Sequence, residues 1–156
     1  MKGKTIGYYK NVQNVPYCKA AVAMNVGMGV ILDRENATAA LPADATEAKS
    51  CVYVVSNITD KPEIRNSNAF AIAAGEFVRA DDLRTVNGIE VEIAQDELTA
   101  GATTYAAITA GTSDLVFGTD GKLAVAGDTT GYAVYFHVLE KTAYMGAGLR
   151  AEIVVA

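Results

Sequence analysis

The chain has no tryptophan, a single histidine, two cysteines and three prolines in 156 residues. Each shortage removes a class of function. One imidazole, His137, has no second histidine with which to share a metal and no nearby serine motif to activate, so zinc and triad chemistry lack their parts. Two thiols, Cys18 and Cys51, do not make a disulfide framework, and neither sits in a Cys-x-x-Cys or Cys/His cluster. Both are expected to be reduced and buried. The longest weakly polar stretch, Ala20–Leu32, is interrupted by Asn25, Gly27 and Gly29 and falls short of the ~20 residues that span a bilayer. The opening segment has lysines but no apolar core of signal-peptide length, which leads to an expectation of cytosolic synthesis without membrane association.

Charge of one sign is also missing from part of the chain. Residues 1–32 contain Lys2, Lys4, Lys10 and Lys19 and no acid, a charge of +4. The whole chain is −5, so residues 33–156 carry −9. An acidic body repels phosphate, and four lysines without arginine do not make a nucleic-acid surface. The opposed charges favour attraction between the lead and the body, within one chain or between copies.

What is present is β patterning. At 51% hydrophobic and 20% charged the composition is globular, and a chain of this length buries roughly 68–70% of its unfolded surface without staples. One pattern occurs twice. Residues 29–46 and 114–130 each run through an apolar triplet, a polar turn, a small-apolar run and an Asp-x-Thr or Asp-Thr-Thr loop. Each is followed by an aromatic strand, Cys51–Ile58 and Tyr132–Glu140. The pairing suggests an internal duplication.

The rest of the chain agrees. Asp33–Asn36 reads as a hairpin turn with Asn36 suited to left-handed dihedrals, and Pro42 ends the second strand. Residues 59–69 read as a polar loop, Gly75 as a bulge or bend, and Asp81-Asp82 as a turn. Asn87-Gly88 predicts a type I′ hairpin. Ile89, Val91 and Ile93 alternate with Glu90 and Glu92, a strand with one wet face. Residues 96–110 are assigned one helical turn and then a strand, because Gly101 and the threonines oppose the helix that the alanines favour. Val134, Phe136 and Val138 are set toward the core, opposite Tyr135, His137 and Leu139. No stretch carries a helical stripe. About nine short strands with frequent turns predict an all-β fold, an antiparallel sandwich or barrel with short hairpins. Residues 1–22, with scattered tyrosines and Pro16, are set apart as an extended N-terminal arm ahead of a single β-rich domain over 23–156, the alternative being that Thr5–Tyr9 forms an edge strand of that domain.

Candidate chemistry is sparse. Glu90 and Glu92 share a strand face at about 6.6–7 Å by strand rise, a spacing compatible with an inverting glycosidase pair. Such pairs ordinarily come from different elements around a cleft, so a solvated face is the preferred reading. Asp33-Arg-Glu-Asn and Asp120-Gly lack the ligand spacing of an EF-hand. Gly27-Met-Gly29 and Gly146-Ala-Gly148 lack the third glycine and following helix of a nucleotide site. No catalytic residue, cofactor or metal ligand is assigned. The assigned interaction residues are in the arm: Lys4, Tyr8, Tyr9, Lys10 and Tyr17, tyrosines as low-entropy anchors and lysines as attraction for acidic surfaces.

Three segments carry a resemblance: Gly29-Val-Ile-Leu-Asp33 leading to Ala39-Ala-Leu-Pro42, Gly75-Glu-Phe-Val-Arg79, and Tyr135–Glu140 ahead of Gly148-Leu-Arg150. In these the sequence is similar to the small auxiliary head proteins of tailed bacteriophages, the capsid decoration or cement proteins. The resemblance implies a non-enzymatic β-rich module on the outer capsid surface, homo-oligomeric and bridging subunits of the major capsid protein. A virion-displayed host-surface or glycan-binding β domain is the alternative. The absence of tryptophan weighs against it, since sugar platforms favour exposed aromatic faces.

Overall fold

The structure, a computed structural model, describes the backbone of residues 5–6 and all atoms of residues 12–57, 70–143 and 146–156. The fold is mainly β, with two short helices. Thirteen strands occur among the described residues: β1 Thr5–Ile6, β2 Asn14–Ala20, β3 Met24–Asn25, β4 Gly29–Asp33, β5 Thr38–Ala40, β6 Tyr53–Val55, β7 Ala71–Ile72, β8 Phe77–Asp82, β9 Glu90–Ala94, β10 Asp114–Phe117, β11 Leu123–Ala126, β12 Val134–Thr142 and β13 Gly148–Val155. Helix α1 is Ala45–Lys49 and α2 is Ala102–Ala107.

Five strands close into a barrel in the order β2-β5-β4-β6-β8. Six form a sheet in the order β1-β9-β13-β12-β10-β11. The two arrangements are one topology used twice. If β2, β4, β5, β6 and β8 are matched with β9, β10, β11, β12 and β13, the strand order is the same in both halves. Each matched pairing from β5 to β2 and from β11 to β9 is antiparallel. The closing contact is parallel in both. It runs Lys19↔Thr38 and Ala20↔Ala39 in the first half. In the second half it shrinks to one bridge, Leu98↔Leu123, with Thr99 N donating to Leu123 O at 2.8 Å.

The repeated sequence pattern maps onto matching positions. Both copies form a hairpin, β4–β5 and β10–β11, whose first strand then takes β6 or β12 on its other side. Both Asp-x-Thr loops make the same local bond. Asp44 Oδ1 accepts from Thr46 N at 2.8 Å, and Asp128 Oδ1 accepts from Thr130 N at 2.9 Å. A carboxylate that satisfies the amide two residues on is what fixes an Asx turn. In the first copy Asp44 also takes Glu47 N and so caps α1.

The halves meet along this repeat. Gly29 N donates to Gly121 O at 2.7 Å, joining the start of β4 to the β10–β11 turn. A Cβ on Gly29 would lie 2.5 Å from two ring atoms of Phe117 and 2.9 Å from Cys51 Sγ, so only glycine lets the strand run against that ring. The larger core combines Cys51, Val52, Val54, Leu83 and Val86 from the first half with Val91, Ile93, Leu115, Phe117, Phe136, Val138 and Ile153 from the second. Phe117 and Phe136 meet edge to face, with centroids 5.4 Å apart and planes at 87°. A smaller core of Val15, Cys18, Val30, Ala39, Ile72, Val78 and Ala80 fills the first barrel.

Several local expectations need correction. Asn14–Ala20 is no arm: it is a barrel strand with Val15, Cys18 and Ala20 buried. Pro16 is accommodated because the β2–β8 register shifts between Val15 and Cys18, and a bulge needs no donor from the proline. Thr5–Ile6 pairs with β9 as an edge strand. Asn87-Gly88 does not join a hairpin. Asn87 has φ −55° and ψ 135° and Gly88 has φ +76°, a type II turn following the 3₁₀ turn Leu83–Val86. In the β4–β5 turn it is Ala37, and not Asn36, that adopts positive φ, at 51°. Asp81 and Asp82 end β8 instead of forming a turn, and residues 108–113 form no strand after α2. The expected loop over 59–69 lies outside the described residues.

Candidate interaction surface

Of the sequence-assigned residues, Lys4, Tyr8, Tyr9 and Lys10 lie outside the residues with described side chains. Tyr17 is on β2 and 46% exposed. On the neighbouring strand Phe77 is 60% exposed, the largest apolar side chain so open to water among the described residues. Register places Lys19 opposite Phe77, and Lys19 Nζ stands 5.3 Å from the ring centroid. Val22, beyond the end of β2, is 46% exposed. The β7–β8 turn approaches the same corner, with Gly75 N donating to Ala20 O and Ala20 N to Glu76 O. Thus Tyr17, Lys19, Val22 and Phe77 are exposed on and just beyond the paired strands β2 and β8, beside the Arg79–Asp81 pair that alternates onto the same outer face. Alternation along β8 explains it: Val78 and Ala80 point into the barrel, so Phe77 must point out.

The outer face of the second half has a different character. Asp114, His137, Glu152 and Glu90 are in register across β10, β12, β13 and β9. His137 Nδ1 and Asp114 Oδ1 are 2.8 Å apart. Arg150 pairs with Glu90 at 3.1 Å and with Glu140 at 3.1 Å, and Thr142 donates to Glu92 at 3.1 Å. Glu152 forms no ion pair among the described residues. The two glutamates singled out by spacing therefore lie on an open sheet face, one bound to an arginine and one to a threonine. They do not line the cleft. That cleft, about 280 Å³, is walled by Asn25, Val26, Gly27 and Met28 from the first half and Asp96, Glu97 and Lys122 from the second. Lys122 Nζ donates there to the carbonyl of Asp96 at 2.9 Å.

A third cluster was not legible in the sequence. Tyr53 on β6 receives two arginines: Arg34 from the β4–β5 turn donates to its hydroxyl oxygen at 2.6 Å and Arg84 donates at 3.2 Å. Both guanidinium carbons stand over the ring, at 5.7 and 5.6 Å from the centroid. Arg84 is held by Asp82 through Nε at 2.9 Å and Nη2 at 2.7 Å. Burial would raise the Asp82 carboxyl, but the bonds from Arg84 and the charges of Arg84 and Arg34 outweigh it and hold the group below its ordinary range. Residues nineteen and thirty-one positions from Tyr53 meet there. Only the β4–β6–β8 pairing brings them together.

Both thiols are free and buried. Burial pushes Cys51 up to about 12, with only weak contacts to the carbonyls of Tyr53 and Val30 working the other way. Its ordinary value is 9.0. The unfolded thiol therefore ionises first, and stability is fully present below about pH 9 and is lost as pH rises toward 12. A thiol-specific alkylating reagent at pH 8 is expected to label neither cysteine in the folded protein and both in denaturant. Cys51→Ser is expected to flatten the alkaline limb of a stability–pH curve. Rapid labelling of native protein would show that the site opens.

Among the described residues no group of three or more His, Cys, Asp or Glu side chains is arranged to hold a metal ion. No helix among them is long and apolar enough to cross a membrane. Comparison with known proteins places no relative beside these surfaces: no family model, no curated protein and no solved structure matches the chain.

Proposed function

We propose that this chain is a non-enzymatic structural protein of a phage virion that decorates or cements the capsid by bridging major capsid protein subunits from the outer surface. The observation that carries the reading is the exposed corner of Tyr17, Lys19, Val22 and Phe77. A phenylalanine 60% exposed on a well-formed strand, with a lysine over its ring, offers the aromatic surface that interface centres are enriched in. Phe77 also belongs to Gly75–Arg79, one of the segments in which the chain resembles capsid decoration proteins. Two halves of one topology, joined by a shared core, supply two outward surfaces, as bridging requires. Many copies, each holding weakly, then resist separation of the shell together.

The test is co-sedimentation with capsids assembled from the cognate major capsid protein. Phe77→Asp combined with Tyr17→Ser is expected to keep the wild-type melting temperature, because both side chains point to solvent, and to lose capsid binding at least tenfold. Undiminished binding by a folded double variant would remove the corner from the interface. Absence of binding by the wild type would remove the capsid reading itself.

A further inference from the structure

Two opposite charges that make no ion pair among the described residues lie on opposite halves of the repeat. The cation is Arg34. In the Arg34–Tyr53–Arg84 cluster two guanidiniums share one phenol oxygen, and the single carboxylate in contact, Asp82, is engaged by Arg84. Asp33, next in sequence to Arg34, is spent on its own turn: Oδ1 accepts from the amides of Glu35 and Asn36 at 3.0 Å each, and Oδ2 from Asn36 Nδ2 at 2.6 Å. Glu35 is exposed on the same turn and makes no ion pair with Arg34 among the described residues. Arg34 is thus exposed, pre-oriented by Tyr53, and has most of its donor fork open. A planar fork held in place is suited to receive a carboxylate in two-point fashion.

The anion is Glu152. Its cross-strand neighbours are His137 and Glu90. His137 is turned to Asp114, and Glu90 to Arg150. The region around it is strongly acidic: residues 87–156 hold Lys122, Lys141 and Arg150 against nine carboxylates, a net −6. A cation brought to this face relieves repulsion among Glu90, Glu92, Glu140 and Glu152 as well as forming its own pair.

We propose that Arg34 on the first barrel of one copy docks the Glu152 face on the second half of another copy, so that the protein self-associates head to tail. Such an interface is heterologous, and repetition closes it into a ring where the rotation permits. This assembly does not depend on the capsid contact at Phe77, which lies elsewhere on the first barrel. The occupant is a second copy because the complementary charge is found within the chain.

Charge exchange tests it. Sedimentation equilibrium of the purified full chain at low salt is expected to show an oligomer that dissociates as salt is raised, since exposed charges are screened. Arg34→Glu removes the bond to Tyr53, the stacking on its ring and a positive charge near Asp82, and Glu152→Arg replaces a half-buried surface group. Each alone is expected to weaken association by at least tenfold while far-ultraviolet circular dichroism stays unchanged. The double variant Arg34→Glu/Glu152→Arg restores the pair with its sign reversed and is expected to recover association. If either single variant misfolds, Arg34→Gln and Glu152→Gln replace it with the same expected direction. A wild type that stays monomeric at 100-fold the concentration used in capsid binding would overturn the proposal. So would singles that assemble normally, or a folded double variant that does not recover. Capsid binding by monomeric Arg34→Glu would leave the Phe77 surface standing, so the two readings fail separately.

Discussion

Gly29→Ala is expected to cost at least as much stability as the upper end of ordinary overpacking, about 3 kcal/mol. The added carbon would fall 2.5 Å from Phe117 and 2.9 Å from Cys51 Sγ, well inside contact distance. Neither neighbour can retreat easily. Phe117 is 2% exposed and locked edge to face on Phe136, and Cys51 is 1% exposed. The Gly29 amide is also tied to Gly121 O, so the strand cannot back away without breaking the junction between halves. Urea denaturation followed by tyrosine fluorescence measures the effect. Phe117→Leu in the same chain should return part of the loss by vacating the ring position. A Gly29→Ala midpoint equal to wild type would mean that the halves are not packed as described.

Phe136→Ala is expected to destabilise by about 3–5 kcal/mol, through lost burial and the cavity left behind. Its ring is 2% exposed at the centre of the larger core. Tyr135, one residue earlier on β12, faces outward and is only partly buried, so Tyr135→Ala should cost distinctly less. Thermal melts of the two variants decide the assignment. The reverse order would require β12 to be turned over, which its register with β13 at eight residue pairs opposes.

Alternating β strands were legible in the sequence because one-sided burial imposes a period of two. Val134, Phe136 and Val138 on one strand, and Val91 and Ile93 on another, are buried as the pattern required. The repeated hairpins were legible for a related reason: a polar turn between short apolar runs leaves few alternatives. The failures share a different cause. Pro16 signals exclusion from a sheet only where the ladder is regular, and here a register shift removes the demand for its donor. Asp81 and Asp82 look like turn residues, yet the first is in a strand and the second takes up Arg84 at the strand's end. Asn-Gly signals a positive φ at glycine, which Gly88 has, but not which strands it connects. The parallel closures between β2 and β5, and between Leu98 and Leu123, join segments with no local signature at all. The Arg34–Tyr53–Arg84 cluster was hidden for the same reason. Its members become neighbours only through strand order, whereas Tyr17 could be singled out by residue type alone.

The pairing of Thr5–Ile6 with β9 bears on how the molecule is made. Every strand of the first barrel has been synthesised once Asp82 is out, so that half can close while the second is still being translated. The strand at residues 5–6 emerges long before its partners and has none until Glu90 and Val91 follow. It is thus among the most non-local pairings in the chain, and loop closure of that length forms late. Until then the outer edge of β9 is a free template, and in a crowded polysome the nearest strand able to occupy it belongs to a neighbouring nascent chain. A slow final folding phase that lengthens with protein concentration is the kinetic mark such an exchange would leave.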